Sequence, residues 1–163
     1  MNPSQLISPL KYWLPAICVA AIISIFSTHY FSGEQTGRVI IPILRWLLPS
    51  ARLHTLHLLH VGIRKLAHVT EFGVFSVAIF HGIRAGRVGW RLNWAMVTLV
   101  IAVAYAGLDE WHQSFVPLRE ARVRDVVIDA FGAVLAQSFV WVYAKWKWGA
   151  LTTRELPADT AKQ

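Results

Sequence analysis

Four long stretches that are nearly free of charge limit this chain more than any other feature of its sequence. A hydrocarbon core about 30 Å thick needs roughly 20 mostly apolar residues in a helix, and each stretch comes close to that length. The stretches are 12–31, 66–83, 92–108 and 126–143. Seven of the eight tryptophans lie near an end of a stretch, where an amphipathic indole prefers the membrane interface. We therefore predict an all-α fold, a membrane bundle of about four transmembrane helices.

The composition supports a membrane protein. Charged residues make up 15% of the chain, whereas a soluble domain carries roughly 25%, and such an apolar chain is still less typical of disorder. The net charge of +7 resides in basic residues that fall between the apolar stretches, so we expect a lipid bilayer and no nucleic acid as partner. The single cysteine, Cys18, excludes an internal disulfide and is expected to be a small buried hydrophobe.

One membrane domain is predicted over 1–148, followed by a polar tail over 149–163. The segment 38–48 is apolar but too short to span, and it contains Pro42. We predict that it lies along the interface or packs as a re-entrant segment. The first stretch lacks a clear signal-peptide cleavage site, which favours an uncleaved anchor.

Lysines and arginines do not decide the orientation by number, because eight fall on each side of the predicted bundle. The loop 84–91 is short, basic and free of acids, whereas the opposite side also carries acidic residues. We therefore predict that the amino terminus lies inside and that the acidic residues face outward.

Ionisable residues gather at one end of three of the stretches. They are Lys65, His68 and Glu71 at the start of the second stretch, Asp109, Glu110 and His112, with the neutral amide of Gln113, at the end of the third, and Arg119, Asp125 and Asp129 around the start of the fourth. Because consecutive spans alternate in direction, all three clusters are expected at the same membrane face. Ionisable groups in or beside a span usually face a protein interior or a wet cavity. The pattern therefore predicts a convergent polar site.

Structural ion pairs, such as Lys65 with Asp109 or Arg119 with Asp125, are the alternative. They explain the loop charges well, but they explain Asp129 and Glu71 poorly, since both lie about a turn inside a span. The acids Asp125 and Asp129 also share a helical stripe with two small residues, which would allow a neighbouring helix to approach closely. These small residues are Gly132 and Ala136.

Three histidines, His54, His57 and His60, recur at a spacing of three residues. Imidazole binds Zn²⁺, but no carboxylate accompanies them, and their alternation with leucine favours an interfacial amphipathic helix. The sequence contains no G-x-S-x-G, H-E-x-x-H or phosphate-binding loop motif. Metal and cofactor dependence are therefore left open.

Two motifs together resemble the VanZ-like family of bacterial membrane proteins. The first is Lys65-x-x-His68-x-x-Glu71, and the second is DEWHQSFVPLR at 109–119, followed by Asp125, Asp129 and Gly132. The resemblance covers about 60–140. It implies a small multi-pass protein of the bacterial cytoplasmic (inner) membrane, in a family whose founding member is linked to tolerance of the glycopeptide teicoplanin.

The chain departs from the family pattern at two places. Leu118 stands where the family often has glycine before the arginine, and leucine does not readily adopt a positive φ. A tyrosine is common where this chain has Glu71-Phe72, which leaves the role of Glu71 open.

Three functions fit these features. The first is a membrane enzyme acting on a lipid-linked or envelope substrate, with convergent opposite charges shifting pKa values and strengthening electrostatics. Its candidate catalytic residues are Asp109, Asp125, Asp129, His68 and His112, and its candidate substrate-binding residues are Lys65, Glu71, Glu110, Gln113 and Arg119. The second is a non-catalytic factor that holds an anionic lipid headgroup or a partner protein in the same cleft. A transporter is less favoured, because the four stretches show no repeat.

Overall fold

The computed structural model describes residues 3–117, 119 and 122–152, with side chains described for 10–117, 119 and 122–147. This part of the chain contains helices and no strand. The helices are α1 Pro3–Phe26, α2 Gly33–Leu47, α3 Leu53–Arg84, α4 Leu92–Gln113 and α5 Val123–Thr152, with a short 3-10 helix at His29–Phe31. Helices α3, α4 and α5 are each long and apolar enough to cross a membrane. The predicted all-α membrane bundle is confirmed.

Helix α3 is the centre of the bundle and contacts each of the other four helices. Its buried aromatic residues Phe72 and Phe75 pack against small residues of α4 and α5, including Ala106 and Ala133. Small side chains at helix contacts are typical of membrane bundles, because they let backbones approach closely. The hydroxyl of Tyr105 in α4 also donates to the Ala20 carbonyl of α1 at 2.9 Å.

Helix α3 is longer than the second apolar stretch predicts. It has 32 residues and begins at Leu53, so at 1.5 Å per residue it extends about 48 Å, well beyond a core of about 30 Å. The segment of His54, His57 and His60, expected to form an interfacial amphipathic helix, is the first part of α3. Hydropathy changes near residue 66, but nothing in the backbone interrupts the helix there.

The first apolar stretch is not one straight helix. Helix α1 ends at Phe26, and the segments Leu10–Phe26 and His29–Leu47 form a pair bent by 74° that fits a broken span or a re-entrant loop. Polar residues follow the end of this helix, and the Thr28 hydroxyl donates back to the Ile25 carbonyl of its last turn at 2.8 Å. The segment around Pro42, predicted to be interfacial or re-entrant, is α2.

Cys18 is exposed on α1, so its predicted burial was wrong. The buried residues of α1 include Ala16 and Ile23, which lie on one helix face, and Cys18 is about 200° around the axis from Ala16.

Residue Leu118 and the part of the predicted tail at 153–163 lie outside the described residues.

The predicted orientation can be tested with two single cysteines in a Cys18→Ala background. Ser114 is exposed after α4 at the acidic end of the bundle, and Val88 is 76% exposed in the loop between α3 and α4. We expect Ser114→Cys to react with an impermeant maleimide in intact spheroplasts, and Val88→Cys to react only after permeabilisation. The reverse labelling pattern would place the acidic end in the cytoplasm.

Candidate functional site

The bend between α1 and α2, the middle of α3, the end of α4 and the start of α5 meet at one end of the bundle. A cavity of about 280 Å³ lies between them. Its polar lining residues are Arg64, Lys65 and His68 of α3, Gln113 of α4, and Arg119, Arg122 and Asp125 around the start of α5. Four cationic side chains thus surround this cavity, which we call the first cavity, against one carboxylate.

Asp129 lies at the inner end of this site and is only 1% exposed. Its Oδ1 is 3.2 Å from Nδ1 of His68, on the facing turn of α3. The contact is at ion-pair distance, although it lacks hydrogen-bond alignment. Since Nδ1 faces the aspartate and His68 lines the first cavity, Nε2 is the ring nitrogen available to a ligand. A carboxylate this close to Nδ1 favours one orientation of the imidazole ring.

The close approach of α3 and α5 places this pair. A Cβ added at Gly132 would clash with the carbonyl oxygen of Val69, and its distances to the carbonyl carbon and Cα of Val69 would be 2.9 Å. On the opposing helix, a Cβ at Gly73 would lie 3.4 Å from the Gly132 oxygen. The predicted close helix approach along the stripe of Asp129 and Gly132 is therefore present.

Asp109 and Glu110 bond to other parts of the bundle. The Ser27 hydroxyl donates to Asp109, and Nε2 of Gln113 donates to the second Asp109 oxygen at 2.6 Å. The Glu110 carboxylate accepts the backbone N–H of Arg122. These bonds join the ends of α1 and α4 and tie α4 to the chain entering α5.

Two arginines hold the bend between α1 and α2. Nη1 of Arg64 donates to the Phe31 carbonyl and to the Thr36 hydroxyl, both at 2.9 Å. Nη2 of Arg119 donates to the same Phe31 carbonyl at 3.1 Å and to the Phe26 carbonyl. Burial, together with the nearby charge of Arg64, lowers the pKa of the Arg119 guanidinium. Two cations thus share one acceptor at the edge of the site.

A second cavity of about 210 Å³ adjoins the first. The two cavities share Arg64, His68 and Arg119 as lining residues, and the second also contains Glu71 and Asp109. Its wall further includes Phe26 and Phe31 at the bend and Ile63 and Ala67 of α3. The three shared cationic or protonatable side chains therefore form the boundary between two open spaces.

The other candidates have different surroundings. Lys65 is exposed at the rim of the first cavity, and Asp125 lines it, whereas His112 is exposed and belongs to the lining of neither cavity. His60 is buried, with Nε2 3.2 Å from the Thr36 hydroxyl. Within the described residues, no group of three or more His, Cys, Asp and Glu side chains is arranged to hold a metal ion.

Sequence reasoning missed Arg64, Ser27 and Thr36. Arg64 lies just outside the apolar stretch 66–83, so it is easily taken for a flanking charge. Ser27 and Thr36 carry no charge, and their contacts depend on the bend between α1 and α2. The adjacent basic pair Arg64-Lys65 was the one available signal.

The helices and this site together define a multi-pass membrane protein with a polar site of basic and acidic side chains at one end of the bundle. A family model described as VanZ/LLP1 matches residues 12–144, from α1 to near the end of α5. The chain belongs to the VanZ/LLP1 family, which confirms the resemblance read from its motifs. Comparison with curated proteins and with solved structures gives no match.

Proposed function

We propose that this protein binds the anionic headgroup of a lipid-linked envelope substrate in the first cavity, within the inner membrane of a bacterium. The cationic lining of this cavity, Arg64, Lys65, Arg119 and Arg122, is the observation that carries the proposal. Guanidinium and ammonium groups bind phosphate oxygens through charge-assisted hydrogen bonds, which are stronger in a partly dry cleft. A role in envelope integrity or glycopeptide tolerance would act through this site.

His68 and Asp129 add a proton-transfer group to the binding site. With Nδ1 directed at a buried carboxylate 3.2 Å away, the imidazole can accept or donate a proton at Nε2 towards a bound headgroup. Asp125 lines the same cavity and could hold a cation that accompanies the anion. In this form of the proposal, Asp129 is a positioning residue and His68 is the acid or base.

A non-catalytic binder is the second candidate, and the contacts of two other acids favour it. Asp109 and Glu110 accept hydrogen bonds from Ser27, Gln113 and the Arg122 backbone. Both carboxylates therefore take part in joining the helices and the chain that enters α5. Incubating the purified protein with a lipid extract, with and without divalent metal, separates the two forms: turnover of a phospholipid or polyprenyl phosphate indicates an enzyme, and retention without turnover indicates a binder.

Charge reversal at Lys65 tests anion binding directly. Lys65 is exposed at the rim of the first cavity, so Lys65→Glu should change the charge of the cavity without disturbing the fold. We expect its affinity for butyl phosphate, a water-soluble headgroup probe, to fall by about tenfold or more, measured by ³¹P NMR titration.

The matched control is Arg52→Glu. Arg52 is also exposed, directly before α3, and belongs to the lining of neither cavity. We expect this variant to bind butyl phosphate like the wild type. Equal affinities for the two variants, or no binding to the wild type, would contradict the proposed headgroup site.

A further inference from the structure

A continuous apolar groove runs along one face of α3. One part, of about 490 Å³, is lined by residues including Val19 of α1 and Thr70 and Val74 of α3. A second part, of about 670 Å³, shares those three residues and continues to His81. From Ile63 to His81 the groove follows α3 for about 27 Å at 1.5 Å per residue, close to the thickness of a hydrocarbon core.

The groove opens into the second cavity. Ile63, Ala67 and Glu71 line both spaces, and they lie four residues apart on α3, on one face of the helix. An apolar path therefore leads from the lipid-facing surface to the boundary formed by Arg64, His68 and Arg119. Glu71 at the junction lines the second cavity together with His68 and Arg119, so these side chains are close to the opening.

The groove has a wall on each side in its part nearer His81, and a wall of α1 only in its part nearer Ile63. Val19 and Ile22 of α1 form one wall, and Ala136, Phe139 and Val140 of α5 form the other in the part nearer His81. The floor is a strip of α3 side chains three and four residues apart, which runs from Ile63 to His81. A continuous strip that crosses the hydrocarbon core and ends at one cavity fits one long chain lying along α3.

We propose that this groove takes up the single long chain of a polyprenyl-type phosphate monoester directly from the bilayer, and that the phosphate then lies between Arg64 and Arg119. This inference rests on the proposed headgroup site and adds the class of lipid and its route of entry.

Charge complementarity distinguishes this occupant from an ordinary surrounding lipid. In the second cavity, into which the groove opens, two guanidinium groups donate to the one Phe31 carbonyl, and their charges repel each other. A phosphate between them would relieve this repulsion and accept hydrogen bonds from both. Because lipid tails are as apolar as the groove, apolar contacts add little affinity inside a membrane. The phosphate therefore provides the affinity, and the shape of the groove selects the type of chain.

Filling the groove tests the inference. Thr70 is exposed, lines both parts of the groove and lies outside both cavities. We expect Thr70→Trp to reduce retention of a radiolabelled long-chain polyprenyl phosphate on the purified protein in nanodiscs by about tenfold, while its affinity for butyl phosphate stays at the wild-type value. Val100→Trp is the control, since Val100 is 65% exposed on α4 and lines neither part of the groove.

The outcomes separate this inference from the headgroup site. If Thr70→Trp retains the polyprenyl phosphate as well as Val100→Trp, the groove assignment is wrong, although butyl phosphate binding can still stand. If dioleoyl phosphatidate competes as well as the polyprenyl phosphate does, the single-chain assignment is wrong. If butyl phosphate does not bind the wild-type protein, both the headgroup site and the groove assignment are wrong.

Discussion

Asp129→Asn is expected to accumulate in the membrane at the wild-type level and, under the proposed function, to fail in restoring the envelope-stress phenotype of a deletion strain. The asparagine has nearly the same volume but cannot hold a charged imidazole at Nδ1. Loss of such an orienting carboxylate lowers activity by about 100-fold or more in comparable sites. We therefore expect loss of function without loss of fold.

The identity of the partner explains why the fold should persist. The sequence predicts that Asp129 meets Lys65, Arg119 or a bound cation, whereas the structure pairs it with His68 at 3.2 Å. Leaving a buried lysine or arginine unpaired costs roughly 3–5 kcal/mol. A histidine can release its proton instead, which avoids a stranded charge. The thermal stability of Asp129→Asn in detergent should consequently stay near the wild-type value.

Two further variants make this experiment decisive. His68→Gln combined with Asp129→Asn should be no worse than either single variant, because interacting residues are not additive. Glu34→Gln changes an exposed carboxylate that pairs with Arg38 on α2, and it should behave like the wild type. A stable Asp129→Asn protein with full complementing activity would show that the buried pair has no functional role.

Hydropathy predicts the number and type of the helices better than it predicts the residues at which they end. The stretches 92–108 and 126–143 fall inside α4 and α5, because apolar residues of span length are helical in either a membrane or a protein core. The end of α1 at Phe26 was not predictable in this way. It coincides with a bond from Ser27 to Asp109, whose positions are 82 residues apart.

The site residues were predictable as a group, and their partners were not. Alternating helix direction brings the charged middle of α3, the end of α4 and the start of α5 to one face, where Lys65, Gln113 and Asp125 line the same cavity. Which side chains meet depends on how each helix is rotated about its axis. The periodicity of one helix does not show how that helix is rotated relative to its neighbours, so it could not show that His68 would face Asp129.

Gly132→Ala is expected to lower the free energy of unfolding by about 3 kcal/mol, at the upper end of the usual cost of overpacking. The added Cβ would meet the backbone of Val69 rather than a side chain, so no change of rotamer can relieve the contact. Helices α3 and α5 must then separate, which also moves Asp129 away from His68. Thermal unfolding in detergent, followed by circular dichroism, measures the change.

Two other helical glycines provide matched controls. A Cβ at Gly62 of α3 or at Gly107 of α4 would have no atom within 4 Å, and alanine favours a helix over glycine by about 1 kcal/mol. Gly62→Ala and Gly107→Ala should therefore be neutral or slightly stabilising. If Gly132→Ala unfolds at the same temperature as these two, α3 and α5 do not approach as closely as their backbones indicate. If it loses stability and function together, whereas Asp129→Asn loses function alone, the helix contact supports the site and the carboxylate acts within it.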